Sequence, residues 1–211
     1  MYAVILLLIC ALSGCTPQYS DFFPYTDRGI KKPSLTLLPI YDTTGGSAGS
    51  NFSTELYHSI YSRIRSKGVL FIPPQQNMKR ILASMQGQNL YASSDLSLLK
   101  RFSGTDYICL MEVVDYRTAP YKRGTIKPLY IADLPEEKAC VLSIEVKLKI
   151  VDMRSATPKV VRQEVVESNH MISTTAFEGN STAHGSSLEQ VQSRLARDLT
   201  DKIEETLCSA N

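Results

Sequence analysis

The chain has 211 residues, with 23 basic and 21 acidic side chains and a net charge of +2. That near-neutral balance, without a long basic run or a stripe of alternating aromatic and basic residues, gives no electrostatic case for nucleic acid. Charges interrupt every apolar stretch after Leu12, so no later segment approaches the roughly 20 apolar residues of a membrane-spanning helix.

The first element is an export address. Ala3 to Leu12 is an apolar run of ten residues, too short to span a bilayer and suited to the h-region of a signal peptide over residues 1–14. The run ends in Leu12, Ser13, Gly14 and Cys15, which resembles the lipobox of bacterial lipoproteins. The resemblance implies cleavage before Cys15 and acylation of that residue by chains such as palmitate. An ordinary secretory peptide with a fortuitous cysteine is the alternative. Thr16 rather than Asp follows the cysteine, and the sorting pattern of lipoproteins then implies the periplasmic face of the outer membrane rather than the inner membrane.

Residues 15–33 contain Pro17, Pro24, Gly29 and Pro33 and read as a lipidated tether, with Phe22, Phe23 and Tyr25 able to dock on a partner or on the domain itself. A single domain over 34–211 follows. Leu35–Tyr41 is the first predicted strand, and the loop after it holds three glycines. Phe52, Leu56, Tyr57, Ile60 and Ile64 recur at helical spacing, with Ser50 or Asn51 as cap and Gly68 as stop. Val69–Ile72 is a second short strand. Pro73 and Pro74 are placed to open a helix carrying Met78, Ile81, Leu82 and Met85.

A short helix with Leu96, Leu98, Leu99 and Phe102 is closed by Gly104. Tyr107–Val114 is apolar at almost every position, as in a strand covered on both faces. Residues 117–138 read as an inserted loop. Leu142, Ile144, Val146, Leu148 and Ile150 alternate with polar residues, which predicts a strand with one buried and one wet face, and Val160–Val166 returns as its hairpin partner. Residues 168–186 read as a polar loop. Leu188, Val191, Leu195, Leu199, Ile203 and Leu207 then line one side of a last helix that closes the core. The order is strand-helix-strand-helix-helix-strand-strand-strand-helix: an α/β domain with a mixed sheet of about five strands packed by three to four helices.

Three stretches in this order, Leu35–Thr44, Ser103–Val113 and Leu148–Pro158, resemble signatures of one superfamily: an opening strand with an Asp-Thr loop, a Gly-x-Asp-Tyr before an apolar strand, and a strand ending in Val-Asp before a turn. Asn89–Asp95 stands where that pattern has a turn before a helix. The superfamily includes the curli secretion lipoprotein, the lipoprotein activators of penicillin-binding proteins and the amino-terminal domain of TolB. The resemblance implies a periplasmic adaptor and leaves open what it binds.

The residues supply no sharper chemistry. Gly45–Ser50 lacks the Gly-Lys-Ser/Thr ending of a phosphate loop and reads as a connector. His58, His170 and His184 have no metal-site spacing, so neither metal nor cofactor is expected. Cys109 falls in a strand and reads as a buried thiol; pairing among Cys109, Cys140 and Cys208 is not readable from sequence. The expectation is a non-catalytic, lipid-anchored envelope adaptor that binds another envelope protein. The alternatives are an oligomeric secretion component, for which the insertions lack two alternating segments of about 10 residues, and a lipid or small-molecule carrier. The candidate partner-binding residues are Tyr116, Arg117, Tyr121 and Arg123, an aromatic and guanidinium mixture in the predicted 117–138 loop region. The polar row Glu145, Lys147, Lys149, Lys159 and Gln163 is either a solvated sheet face or a second docking surface.

Overall fold

The computed structural model describes residues 23–45, 51–74, 91, 96, 99–100, 104–121, 139–173 and 188–209. The leader, Cys15, the start of the tether, the predicted helix after Pro74, Arg123, His184 and most of the two long connections lie outside the described residues. The elements are β1 (Leu35–Leu37), β2 (Tyr41–Asp42), α1 (Phe52–Lys67), β3 (Tyr107–Pro120), β4 (Ala139–Asp152), β5 (Lys159–Ser173) and α2 (Leu188–Ser209).

The fold is α/β with a five-stranded mixed sheet, as expected, but the strands are divided differently. The order is β1-β3-β4-β5, with β2 also pairing with β3. β1 and β2 run parallel to β3, whereas β3-β4 and β4-β5 are antiparallel. Pro39 lies between β1 and β2, where its missing N–H cannot serve a ladder, and the single predicted strand becomes two. The predicted strand at 69–72 is reduced to one parallel bridge, Ser34 to Phe71. Two helices of length are present among the described residues, α1 and α2, with Leu99 and Lys100 also helical.

The two connections read as loops are partly strand. Residues 117–120 continue β3 and residues 168–173 end β5, while β4 begins at Ala139, three residues ahead of the alternation that starts at Leu142. Ladder pairing supplies the reason: Arg117 to Pro120 sit opposite Ser143 to Cys140, so hydrogen bonding to a neighbour overrides a polar local sequence.

Both helices pack on one face of the sheet. α1 buries Leu56, Tyr57, Ile60 and Ile64 and ends at Gly68, whose left-handed φ of 64° lets its N–H bond back to the Arg65 carbonyl. Asn51 occupies the N-cap position without a side-chain cap bond. α2 buries Val191, Leu195, Ala196, Leu199, Thr200, Ile203 and Leu207. The helices are tied side by side where Arg63 Nη2 donates to Ser193 Oγ at 2.7 Å and Lys67 Nζ reaches Asp201 at 2.7 Å and Glu204 at 2.9 Å. Cys140, Leu142, Ile144, Val146, Leu148 and Ile150 form the facing row of β4 and complete the core with both stripes.

Candidate functional site

A bulge in β3 divides the expected docking residues of that strand between the two faces of the sheet. Val113 pairs with Val146 and Tyr116 with Ile144, both on the helix side, while the register slips between Val113 and Asp115. The extra residue, Val114, reverses the alternation. Tyr116 therefore points into the core, where it is 9% exposed and meets the Phe52 ring edge-on at 5.3 Å. Arg117 points the other way and its side chain is 69% exposed. The placement of Tyr116 with Arg117 on one loop surface is thus corrected: they are strand neighbours on opposite faces. Tyr121 lies half-buried just past β3, its N–H bonded to the Ala139 carbonyl at 3.1 Å.

On the outer face Arg117 is held by Asp115 at 2.7 Å and faces Glu145 at 3.7 Å, and Lys147 stands 3.9 Å from a largely buried Glu112. Glu145 lies opposite Glu167 on β5, a like-charged pair across the ladder. The predicted wet row is not wet throughout. Lys149 is only 8% exposed; its ammonium donates to the Tyr91 carbonyl at 2.6 Å and lies 5.2 Å from that ring. Burial pushes it below the usual lysine range. Tyr91 covers this end of the face, and among the described residues the open part is the middle, from Asp115 and Arg117 across to Val165 and Glu167.

The two strand-end signatures form a structural corner. Asp106 Oδ2 accepts from the Ser34 N–H at 2.9 Å and its hydroxyl at 2.6 Å. Burial raises the Asp106 carboxyl, but the Ser34 bonds and the nearby Lys31 and Arg154 charges outweigh it and hold the group below its ordinary value. Arg154 chelates Asp152 at 2.8 Å and lies over the Tyr107 ring at 4.8 Å. These contacts fasten the start of β3 to β1 and to the turn after β4.

His170 also lies on the helix side of β5, 1% exposed, with Nε2 2.5 Å from Ser168 Oγ. Burial, with the neighbouring Arg194 charge, pushes its pKa down to about 4. The unfolded chain binds that proton near pH 6.5, so the stability present above that pH is lost as pH falls toward 4. We expect the domain to lose about 2 kcal/mol between pH 7 and pH 5 through this group, and His170→Gln to flatten the profile over that interval. Urea titrations at the two pH values check it; an unchanged slope in the variant would reject the assignment.

No group of His, Cys, Asp and Glu among the described residues could hold a metal ion. Cys109, Cys140 and Cys208 are free thiols, the first two buried and the third exposed. Residues 45–49 spell Gly-Gly-Ser-Ala-Gly, the spacing of a nucleophile elbow, but that motif needs a sharp strand-to-helix turn. Here the connection between β2 and α1 is nine residues long.

A family model described as a family of unknown function, DUF7499, matches residues 21–211. The chain belongs to this family. No curated protein matches it. The fold is similar to that of the hypothetical protein CT253 from Chlamydia trachomatis, with a TM-score of 0.60, 15% identity, and coverage of 84% of this chain and 99% of that one. Lipoprotein GNA1162 from Neisseria meningitidis is similar at 14% identity and a TM-score of 0.45, over 82% of this chain and 99% of that one. The LpoB C-terminal domain from Salmonella enterica follows at 11% identity and 0.35, over 64% and 81%. CT253 establishes a shared fold; the other two scores are too low to carry an argument. Among the described residues, no helix is long and apolar enough to cross a membrane.

Proposed function

We propose that the chain is a lipoprotein held in the cell envelope by acyl groups on Cys15, and that its domain is a non-catalytic adaptor for another envelope protein. The observation that carries this reading is the Leu-Ser-Gly-Cys box at residues 12–15, placed where the ten-residue apolar run ends. One acyl chain binds a membrane only marginally, at about 0.8 kcal/mol per buried methylene, so stable attachment takes more than one chain on the processed cysteine. Thr16 supports the periplasmic face of the outer membrane as the address.

For the adaptor role, the exposed middle of the outer sheet face supports a docking surface built on Arg117, with Tyr121 just past the end of β3 and Arg123 two residues further along the sequence. Arg117 is exposed and held in place by two carboxylates, a guanidinium that a partner's carboxylate or aromatic ring can meet with little ordering cost.

The anchor is tested by growing cells on radioactive fatty acid. The natural chain is expected to take up label and to sediment with membranes, and Cys15→Ala to lose the label completely while remaining uncut or released. Equal incorporation into both would overturn the lipoprotein reading.

A further inference from the structure

Residues 23–32, just before β1, fold into an exposed turn. The Thr26 N–H bonds to the Ile30 carbonyl at 2.8 Å and the Lys32 N–H to the Pro24 carbonyl at 2.8 Å, which sets Tyr25 opposite Lys31 as an isolated antiparallel bridge. Gly29 lets the chain reverse with a left-handed φ of 74°. Every residue from 25 to 31 is exposed, and apolar side chains supply much of that surface: Phe23 is 55% exposed, Tyr25 54% and Ile30 62%. Arg28 and Lys31 stand among them with a single carboxylate, Asp27. The base of the turn is fixed to the domain, since Lys32 is buried, Lys31 reaches Asp106 at 3.8 Å and the Pro33 carbonyl accepts from the Phe71 N–H at 3.0 Å.

We propose that this turn lies in the headgroup layer of a lipid bilayer, with Phe23, Tyr25 and Ile30 inserted beside the acyl anchor. The inference rests on acylation of Cys15. Phe23 is eight residues past that cysteine, and at no more than about 3.6 Å per residue it cannot lie more than about 29 Å from the anchored end. Tethering at that range makes contact with lipid an intramolecular event.

The chemistry of the turn matches that layer. Aromatic rings with a polar tip settle at the membrane–water boundary, and arginine and lysine beside them meet lipid phosphates. A protein is the poorer occupant on size: Phe23 and residues 25–31 are far fewer than the roughly 20–30 residues that each side of a stable protein interface uses. A few side chains suffice at a bilayer, because the acyl chains carry the attachment and the turn has only to orient the domain. β1 runs parallel to β3, so the turn that precedes β1 lies at the end of the sheet where β3 begins. Arg117 is ten residues past Tyr107 on β3, about 33 Å at about 3.3 Å per residue, so the docking surface proposed above is carried at the end away from the lipid.

The chain has no tryptophan, so an introduced one reports only its own surroundings. The full chain, purified from membranes in detergent, is placed in vesicles of phosphatidylethanolamine and phosphatidylglycerol with or without bromine on the acyl chains. Brominated lipid should quench Tyr25→Trp about threefold more strongly than Tyr41→Trp, which replaces a tyrosine of matching exposure, 52%, on β2. Phe23→Ser with Ile30→Ser, added to Tyr25→Trp, should bring the quenching down to the Tyr41→Trp level. All four side chains are exposed, so circular dichroism should show the same fold throughout. Intact-mass measurement of the same samples reads the acyl groups on Cys15 separately. Acylated protein with equal quenching at the two tryptophans would overturn bilayer docking and leave the anchor standing, whereas protein without acyl groups would overturn both. A blue-shifted Tyr25→Trp emission that bromine does not quench would mean that protein covers the turn, a partner or a second copy, and would overturn the proposal, as would quenching that survives the loss of Phe23 and Ile30.

Discussion

Leu195→Asp is expected to unfold the domain. Leu195 is 0% exposed at the centre of the α2 stripe, between Val191 and Leu199, where the helix meets the sheet. Removing a buried leucine side chain costs about 2–5 kcal/mol through lost transfer energy and the cavity left behind. Burying a carboxylate without a partner adds several kcal/mol more. The sum reaches the whole stability of a typical domain, about 5–15 kcal/mol. The appropriate control is Arg197→Ala, whose side chain is half exposed and stands 3.9 Å from Asp198, and which should change stability by no more than about 0.5 kcal/mol. Arg194 is a poor control, because it is half-buried and its charge reaches His170. Thermal melts decide the matter: a cooperative transition for Leu195→Asp near that of the natural chain would mean that α2 is rotated from the position described.

Tyr116→Ala should cost about 3 kcal/mol, and Arg117→Ala no more than about 0.5 kcal/mol. Tyr116 is a buried aromatic packed edge-on against Phe52, so truncation opens a cavity between β3 and α1 and removes an aromatic pair worth about 1 kcal/mol by itself. Arg117 is exposed, and surface ion pairs of its kind contribute little. Urea denaturation of the two single variants measures the difference, and equal costs would place the bulge at Val114 elsewhere. The contrast also fixes how the docking surface must be probed. Arg117, Tyr121 and Arg123 can be replaced together and partner recovery compared, whereas including Tyr116 would confound lost binding with lost folding.

The motifs that resemble the lipoprotein superfamily have a physical role in this corner of the fold. Asp106 receives both Ser34 donors, and Asp152 anchors Arg154 over Tyr107, so both acidic residues fasten strand ends. They help specify the fold and say little about a ligand, which is why the α/β class with a five-stranded mixed sheet could be read while the partner could not.

The sequence by itself determined the two helical stripes and the central hairpin. Residues three and four apart necessarily share a helix face, and alternate residues share a strand face, so Leu56, Ile60 and Ile64, Leu195, Leu199 and Ile203, and the even row of β4 had no choice of side once the element type was known. The proposed export address rests likewise on local sequence, the length of an apolar run and four residues at its end. Only the tertiary structure decided where polar and aromatic residues went. The bulge at Val114 cannot be seen without the β4 ladder opposite it, yet it alone turns Tyr116 inward and Arg117 outward. Lys149 occupies a row that period two assigns to solvent, and it is buried with Tyr91, remote in sequence, against it. The strand character of residues 117–120 and 168–173 is set by cross-strand hydrogen bonds rather than by local preference. Periodicity is a property of a segment with itself, whereas bulges, lids and ladder ends are properties of a segment with its neighbour.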